Sequence, residues 1–246
     1  MHLKRWITGL VALPILIFLV YKGGFLFTTL ISLAGLVALW EYYRIVFNAE
    51  ARPISRIILY WGYGVSFVLI WSTFLEGPDL TLSVIGLNLL VVALISLFQF
   101  KTDRTVLEVI TRQLQGLIYI PVLLSFLILI REGSSGMIWI FFLLAVIFAG
   151  DTSAYYVGSY LGRHKLSPAV SPGKTIEGSI GGLAANLAVG AIGKHFFLPA
   201  MPWGLCLLFF TVVGIAGQVG DFISLIFPSF ENFVNTLEEL FQSFTS

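Results

Sequence analysis

Two aspartates and one lysine stand where charge is unusual, because each lies within or beside an apolar run. Asp151 and Asp221 each interrupt such a run, and Lys174 shortly precedes a third one. Ionisable groups inside membrane-spanning segments are costly and by default indicate function. Mg²⁺ takes one or two carboxylates together with substrate phosphates and waters, so two acids from two helices predict a magnesium site. The alternative for Asp151 is structural, as a helix cap or as the partner of a lysine.

Lys174 belongs to the segment Ser171-Pro172-Gly173-Lys174-Thr175, which leads into a predicted helix. A helix N-terminus has free N–H groups and a positive dipole end, so it favours a phosphate or carboxylate, and a lysine beside it adds to that attraction. The segment is not a Walker A loop, because that pattern requires glycine where Pro168 stands and a preceding strand, which we do not expect here. We predict that Lys174 binds an anion.

Further charged residues flank this segment. Arg163, His164 and Lys165 precede it, and Glu177 follows Lys174 by three positions. For Arg163 and Lys165, phosphate binding and simple contact with water or lipid headgroups are equally open. His164 is predicted to be a surface residue. Glu177 is predicted to cap the first turn of the helix, where the dipole favours an acid, with contact to a cation as the alternative.

One helix face combines an acid, an aromatic residue and two glycines. Asp151, Tyr155, Gly158 and Gly162 follow spacings of four, three and four, which places them on the same side of a helix. Small residues on such a face let a ligand or another helix approach closely. A ligand site and a glycine packing seam both remain open for Gly158 and Gly162.

The scaffold that positions these residues is predicted to be an all-α, polytopic membrane helix bundle. The chain is 58% hydrophobic and 11% charged, with a mean hydropathy of +0.95, which is not the composition of a soluble domain. A helical crossing takes about 20 apolar residues, and the chain offers about eight such segments. Their predicted limits are Ile7 to Tyr21, Phe25 to Val46, Ile57 to Phe74, Leu80 to Phe100, Leu114 to Ile130, Met137 to Val157, Ser179 to Phe197, and Trp203 to Ile223.

The distribution of basic residues predicts the orientation of these spans. With the N-terminus in the cytoplasm, eleven of the 14 lysines and arginines fall on the inner side, and only Lys22, Arg131 and Lys194 fall on the outer side. Asp151 then lies about 21 Å along its span and Asp221 about 27 Å along the last one, at a rise of ~1.5 Å per residue. We therefore expect the two acids at similar depth near the cytoplasmic surface.

Composition also excludes several classes of function. The net charge is +1 and no long run of lysine and arginine is present, so nucleic-acid binding is not expected. Cys206 is the only cysteine, which excludes an intrachain disulfide and a cysteine-rich metal site; it is predicted to serve in packing. The residues alone thus indicate a cytoplasm-facing site for a polyanionic, metal-bound ligand at the membrane surface.

These motifs resemble those of the phosphatidate cytidylyltransferase (CDP-diacylglycerol synthase) family. The resemblance covers about residues 1 to 226. The segments that carry it are Leu3-Lys4-x-Trp6-Ile7-Thr8-Gly9, Asp151-Thr152-x-Ala154-Tyr155, Gly162-Arg163-x-Lys165-Leu166, Ser171-Pro172-Gly173-Lys174-Thr175-x-Glu177-Gly178, Gly181-Gly182 and Gly220-Asp221.

The resemblance implies transfer of a cytidylyl group from CTP to phosphatidic acid, which gives CDP-diacylglycerol and pyrophosphate with Mg²⁺ as cofactor. It implies that Asp151 and Asp221 hold the metal and that Lys174, the third catalytic residue, binds the triphosphate. The further substrate-binding residues that it implies are Arg163, Lys165, Tyr155, Ser171 and Thr175. It also implies a multi-pass protein of the cell inner (plasma) membrane, in contact with membrane lipids, with a cytoplasmic active face and a homodimeric assembly.

The end of the chain departs from the family pattern. After Asp221 that pattern continues with Ser, Lys-Arg, Lys-Asp, His-Gly-Gly, Asp-Arg and a further Asp, whereas only Ser224 and Leu225 echo its start here. We therefore divide the chain into a cytidylyltransferase-like membrane domain, residues 1–226, and an atypical tail, residues 227–246. A reading-frame slip or a truncated gene is our hypothesis for the tail, and impaired activity is its expected consequence.

Two other functions remain as alternatives. One is a non-catalytic homologue that binds CTP or lipid, which the changed tail favours. The other is an anion transporter that uses buried acids and a helix N-terminus, as carriers with broken helices do. No inverted repeat is visible in the sequence, which counts against the transporter.

Overall fold

The structure is a computed structural model that describes residues 13–48, 56–99, 106–168, 171–199 and 201–226. At positions 48, 56, 98–99, 106–107 and 221–226 it describes the backbone alone. The N-terminal motif of residues 3–9 and the atypical tail of residues 227–246 therefore lie outside the described residues.

The described chain is almost entirely helical, which confirms the prediction of an all-α membrane bundle. Its helices are α1 (Leu13–Lys22), α2 (Gly24–Asn48), α3 (Arg56–Glu76), α4 (Pro78–Gln99), α5 (Val106–Leu117), α6 (Leu123–Glu132), α7 (Gly136–Leu161), α8 (Ile176–Phe196) and α9 (Trp203–Ile226). Seven segments of this described part are long and apolar enough to cross a membrane, and α1 is a shorter apolar helix. All eight predicted spans overlap these helices.

The fifth predicted span is not one regular helix. Between α5 and α6 the chain forms a π-helical turn, Ile118–Val122, which contains Pro121. Proline has no N–H to donate and its ring clashes with the carbonyl four residues earlier, so a wider turn at this point accommodates the ring. The three pieces together form one candidate span, Glu108–Glu132.

The chain forms two compact units, Met1–Met137 and Ile138–Ser246. In the first unit, buried polar side chains bond to one another across helices. The Asn88 side-chain oxygen accepts from Trp61 Nε1 at 3.0 Å and from Gln113 Nε2 at 3.3 Å. Because unpaired polar groups are expensive in a membrane interior, these bonds fix α3, α4 and α5 against each other.

The turn between α1 and α2 is as tight as predicted. Gly23 is the only residue between the two helices and has φ +63°, a conformation that glycine adopts without strain. Arg131, at the end of α6, donates to the carbonyls of Val20 and Tyr21 at 2.7 and 3.0 Å. The neighbouring Glu132 accepts from Gly24 N at 3.1 Å. Two adjacent residues of α6 therefore cap the end of one helix and the start of the next.

The second unit contains most of α7 together with a hairpin, α8 and α9. Its packed centre includes Val146, Cys206 and Phe210, so Cys206 is a packing residue as predicted. The hairpin consists of β1 (Lys165–Ser167) and β2 (Ser171–Thr175), which pair antiparallel with Lys165 opposite Thr175. The expectation that no strand precedes the Lys174 segment is wrong, because β1 does so and Lys174 itself lies in β2. The prediction missed it because three residues carry too little periodicity to indicate a strand.

Candidate functional site

The site predicted from sequence gathers where the β1–β2 hairpin joins the C-terminus of α7 to the N-terminus of α8. We call this region the hairpin end. Thr175 begins α8 as its N-cap residue, with its hydroxyl oxygen accepting from Gly178 N at 3.1 Å. Threonine is among the residues preferred at this position because its oxygen satisfies one of the unpaired N–H groups of the first turn. Lys174 is thereby held one residue before the cap.

Glycines bring α7 and α8 into close contact at the hairpin end. A methyl group at Gly178 would lie 2.7 Å from the Ala154 carbonyl oxygen and 3.1 Å from the Gly158 Cα. One at Gly162 would lie 2.7 Å from a carbon of the Thr175 side chain. Of the two interpretations left open by the sequence, the structure therefore gives Gly158 and Gly162 the packing role.

The α7–α8 contacts run antiparallel and extend into the membrane segment. Gly181 packs against Val157, and Gly182 lies beside the Gly150 carbonyl oxygen and Ala154. Deeper still, Gly150 contacts the Asn186 side chain. This register places Asp151 level with about residue 185 of α8. Its side chain is exposed.

The α8–α9 contacts give α9 an equally definite register. Gly214 lies against Asn186, and Gln218 Nε2 donates to the Ser179 carbonyl oxygen at 2.8 Å. Asp221 follows Gln218 by three residues, so its backbone lies level with about residue 178, in the first turn of α8. Its side chain is outside the described part of the structure.

The register therefore separates the backbones of the two acids along the helix axes. Asp151 lies about seven residues deeper along α8 than Asp221, which is about 10 Å at a rise of ~1.5 Å per residue. This differs from the similar depth expected from the sequence, because that expectation counted residues from uncertain span limits. Asp221, and not Asp151, shares the level of Lys174.

The three cations of the site occupy two environments. The Lys174 ammonium nitrogen is shielded from solvent, with less than 1 Å² accessible. Arg163 and Lys165 are exposed on the hairpin. A charge away from water is screened less than one at the surface, so the Lys174 ammonium interacts more strongly with its surroundings than the exposed Arg163 and Lys165 do.

Glu177 holds the hairpin to α8. Its carboxylate accepts from the backbone N–H of Arg163 at 3.1 Å and of His164 at 3.2 Å, and lies 2.6 Å from His164 Nδ1. In return, Ile176 N donates to the His164 carbonyl at 2.9 Å. Thr175 is the N-cap residue of α8, and the Glu177 carboxylate bonds its own backbone N–H in the first turn, as the capping prediction expects, while it also ties the preceding loop. The exposed position predicted for His164 is confirmed.

These bonds also reduce the number of free N–H groups that the start of α8 has for an anion. Of the first three N–H groups of α8, that of Ile176 bonds to His164 and that of Gly178 bonds to Thr175. The expected row of free N–H groups is therefore largely used within the protein. The features here that favour an anion are therefore the cations Lys174, Arg163 and Lys165 and the positive end of the helix dipole.

The remaining predicted substrate-binding residues differ in accessibility. Tyr155 is 70% exposed on α7, with its ring edge-to-face against Tyr156. Ser171 is buried where β2 pairs with β1, and Thr175 is buried under the α7 seam. The structure gives Ser171 and Thr175 positions in the hairpin and the cap, and their contact with substrate stays a prediction.

Sequence reasoning missed two residues of this region, Asn186 and Gln218. Both are amides inside apolar helices, and Gly214, Gln218 and Asp221 follow spacings of four and three. That spacing places them on one face of α9 and was a usable signal. The prediction singled out the acids, and not the amides, because a buried charge is more costly than a buried amide and is the stronger sign of function.

Comparison with known proteins agrees with the family resemblance seen in the sequence motifs. A model of the cytidylyltransferase family matches residues 3–227. A phosphatidate cytidylyltransferase of Bacillus subtilis (strain 168) is 30% identical over 227 residues, covering 89% of this chain and 81% of the relative. Proteins of the same name from Staphylococcus saprophyticus and Staphylococcus epidermidis (strain RP62A) are 28% identical over 228 and 223 residues, each covering 89% of this chain and 82% of the relative.

Proposed function

The chain belongs to the cytidylyltransferase family, and we propose that it transfers the cytidylyl group of CTP to phosphatidic acid. The products are CDP-diacylglycerol and pyrophosphate, so the protein acts in phospholipid biosynthesis. The observation that carries the proposal is the buried ammonium of Lys174, fixed beside the start of α8 by the Thr175 cap and the Glu177 tie. Relatives that cover most of the chain carry the matching name.

The cofactor that we propose for this end is Mg²⁺ that arrives with the substrate phosphates. Such an ion takes one or two carboxylates and leaves its other positions to substrate oxygens and waters. Within the described residues no group of three His, Cys, Asp or Glu side chains forms an all-protein metal site, while Asp151 offers one exposed carboxylate. Asp221 is the residue that would hold the ion beside Lys174, while Asp151 would face the metal-bound substrates from deeper in the bundle; the ion, when bound, would neutralise charge on the phosphates.

Because the two acids lie at different depths, we propose that they contact different substrates. Asp221 shares the level of Lys174 and would meet the triphosphate together with it. Asp151, about 10 Å deeper by the helical rise, would meet the metal-bound substrates from the membrane side, where phosphatidic acid enters. The two carboxylates would thus contact different parts of the bound substrates.

The cations perform the electrostatic part of the reaction. A phosphate oxygen of phosphatidic acid attacks the α-phosphorus of CTP, a new P–O bond forms, and the bond from the α-phosphorus to the bridging oxygen breaks as pyrophosphate leaves. Lys174 neutralises the negative charge that develops on the leaving group, which is the kind of stabilisation that contributes most to such reactions. Arg163 and Lys165, both exposed, attract CTP from solution.

The proposal places the reaction at a membrane surface. Seven described segments are able to span a membrane, and the hairpin end lies at the end of three of them. CTP is a cytoplasmic solute, so we place this end on the cytoplasmic side of the cell inner (plasma) membrane. The homodimer implied by the family resemblance stays a prediction.

The test is turnover by the purified full chain in detergent with labelled CTP, phosphatidic acid and Mg²⁺. We expect label in the lipid fraction and a loss of at least about 100-fold in kcat for Lys174→Ala. Lys194→Ala is the matched control, since Lys194 lies at the opposite end of α8 over the Trp203 ring. CTP binding without turnover would support a non-catalytic homologue, and uptake of CTP into vesicles would support a transporter; either contradicts the proposal.

A further inference from the structure

Gln218 is a polar residue in the apolar helix α9, and its side chain has a definite partner. Its Nε2 donates to the Ser179 carbonyl oxygen at 2.8 Å, across the α8–α9 interface. A helical carbonyl has a second lone pair that can accept such a bond. An amide without a partner is costly inside a membrane, so the interface is held in the register that makes this bond.

A second contact one turn away fixes the same register. A methyl group at Gly214 would lie 2.7 Å from Asn186 Nδ2 and 2.9 Å from the Leu183 side chain. Asn186 itself is only 5% exposed and also lies against Gly150 of α7. The close approach at Gly214 and the hydrogen bond at Gln218 are four residues apart, so together they define both the depth and the rotation of α9.

Asp221 lies on the same face of α9, three residues beyond Gln218. That spacing adds about 4.5 Å along the axis and returns to nearly the same direction. A slip of α9 by a single residue would move position 221 by ~1.5 Å along the helix axis and rotate it by about 100° around that axis. The contact at Gln218 therefore decides where the backbone of Asp221 stands relative to Lys174.

We propose that Gln218 is a positioning residue that holds α9 in register on α8 and so fixes the backbone of Asp221 at the level of the Lys174 end of the site. The inference rests on the proposed function only in giving Asp221 a metal-bound substrate to meet. Gln218 acts through the register of the helix and does not itself touch the substrate.

The informative variant is Gln218→Met, which keeps the length of the side chain and removes the hydrogen-bond donor. Thr211→Val is the matched control, because the Thr211 hydroxyl bonds to Leu207 within α9 and not to α8. We expect Gln218→Met to raise the Mg²⁺ concentration for half-maximal activity by about tenfold, the scale of one lost hydrogen bond. The KM for CTP at saturating Mg²⁺ should change less than twofold, and Thr211→Val should change neither quantity.

A readout independent of turnover is the distance between spin labels on α8 and α9. Labels at the exposed positions Ile180 and Val219, in a Cys206→Ser background, should show a shifted or broadened distance distribution in Gln218→Met and an unchanged one in Thr211→Val. If Gln218→Met fails to accumulate, Gln218→Asn replaces it. Its side chain keeps the amide but is one methylene shorter, so we expect a smaller change of the distance distribution in the same direction.

The outcomes separate the two proposals. An unchanged distance distribution together with an unchanged Mg²⁺ requirement would overturn the role of Gln218 while leaving the transferase intact. A wild-type chain without turnover would overturn the proposed function, and the distance measurement would still decide the register.

Discussion

At the scale of single residues, the hairpin end combines one shielded cation with two exposed ones. Lys174 Nζ is buried, whereas Arg163 and Lys165 face solvent. Surface charges are screened over about 8 Å at physiological ionic strength, and buried charges much less. The two kinds of cation should therefore respond differently to salt.

Arg163→Ala and Lys165→Ala should raise the KM for CTP most at low salt. We expect an effect of a fewfold at low ionic strength that largely disappears at several hundred millimolar salt, because exposed charges act mainly through long-range attraction. The loss of kcat in Lys174→Ala should persist at both salt concentrations. Steady-state kinetics at two ionic strengths make the comparison, and equal salt dependence for all three variants would contradict the assignment.

The two acids should give distinguishable variants. Asp221→Asn should raise the Mg²⁺ concentration for half-maximal activity by at least about tenfold. Even the loss of a residue that only hydrogen-bonds to a metal ligand lowers metal affinity by about this factor. Asp151→Asn should lower kcat with a smaller change in that requirement, because Asp151 lies about 10 Å deeper. Mg²⁺ titration of both variants is the measurement. Identical shifts of the Mg²⁺ requirement would indicate that both acids hold one ion at one level.

At the scale of elements, the site depends on a short hairpin that is fixed from both sides. Glu177 accepts from the backbone N–H groups of Arg163 and His164, and Thr175 caps α8 while packing under Gly158 and Gly162. Two packed helices and a capped turn hold the loop that carries the cations. The chemistry thus relies on the fit between α7 and α8.

Gly178→Ala should destabilise this fit. Its methyl group would lie 2.7 Å from the Ala154 carbonyl oxygen, and overpacking of this kind costs about 1–3 kcal/mol. Because the atom that it meets is backbone and cannot move aside cheaply, we take the upper part of that range, and the roughly 1 kcal/mol of helix propensity that alanine regains leaves a net cost of about 1–2 kcal/mol. We expect the midpoint of thermal unfolding in detergent to fall by about 2–8 °C.

The control for this variant is Gly173→Ala, since no atom lies within 4 Å of a methyl group there. It should leave the unfolding midpoint within about 1 °C, as a surface substitution usually does. A Gly178→Ala protein as stable as the wild type would contradict the close α7–α8 contact at Gly178.

At the scale of the whole molecule, the proposed reaction with CTP requires the hairpin end to face the cytoplasm. Cys206 is buried, so cysteines introduced at exposed sites should be the ones labelled by a membrane-impermeant maleimide. Lys165→Cys should be labelled in inverted membrane vesicles and protected in intact spheroplasts. Ser134→Cys, just before the other end of α7, should show the opposite pattern, and a reversed result would contradict the orientation.

The positions of the helices, and of Lys174 beside a helix start, could be predicted from the sequence because both leave local signals. Apolar runs bounded by glycine, proline and charge indicated the spans, and Lys174 stood out beside a helix start. The depth of Asp151 relative to Asp221 could not be predicted, because it depends on how glycines at 150, 182 and 214 set the helix registers. The contacts of Glu177 with the preceding loop were missed for a similar reason, since these partners lie 13 and 14 residues earlier.

Cytidylyl transfer can be tested by following the phosphorus atoms of CTP. Purified chain is incubated with phosphatidic acid, Mg²⁺ and CTP labelled at either the α- or the γ-phosphate, and the lipid and aqueous phases are counted. Attack at the α-phosphorus predicts that α-label enters the lipid while γ-label stays in the water phase as pyrophosphate. Absence of α-label from the lipid, or transfer of γ-label to it, would contradict a cytidylyl transfer.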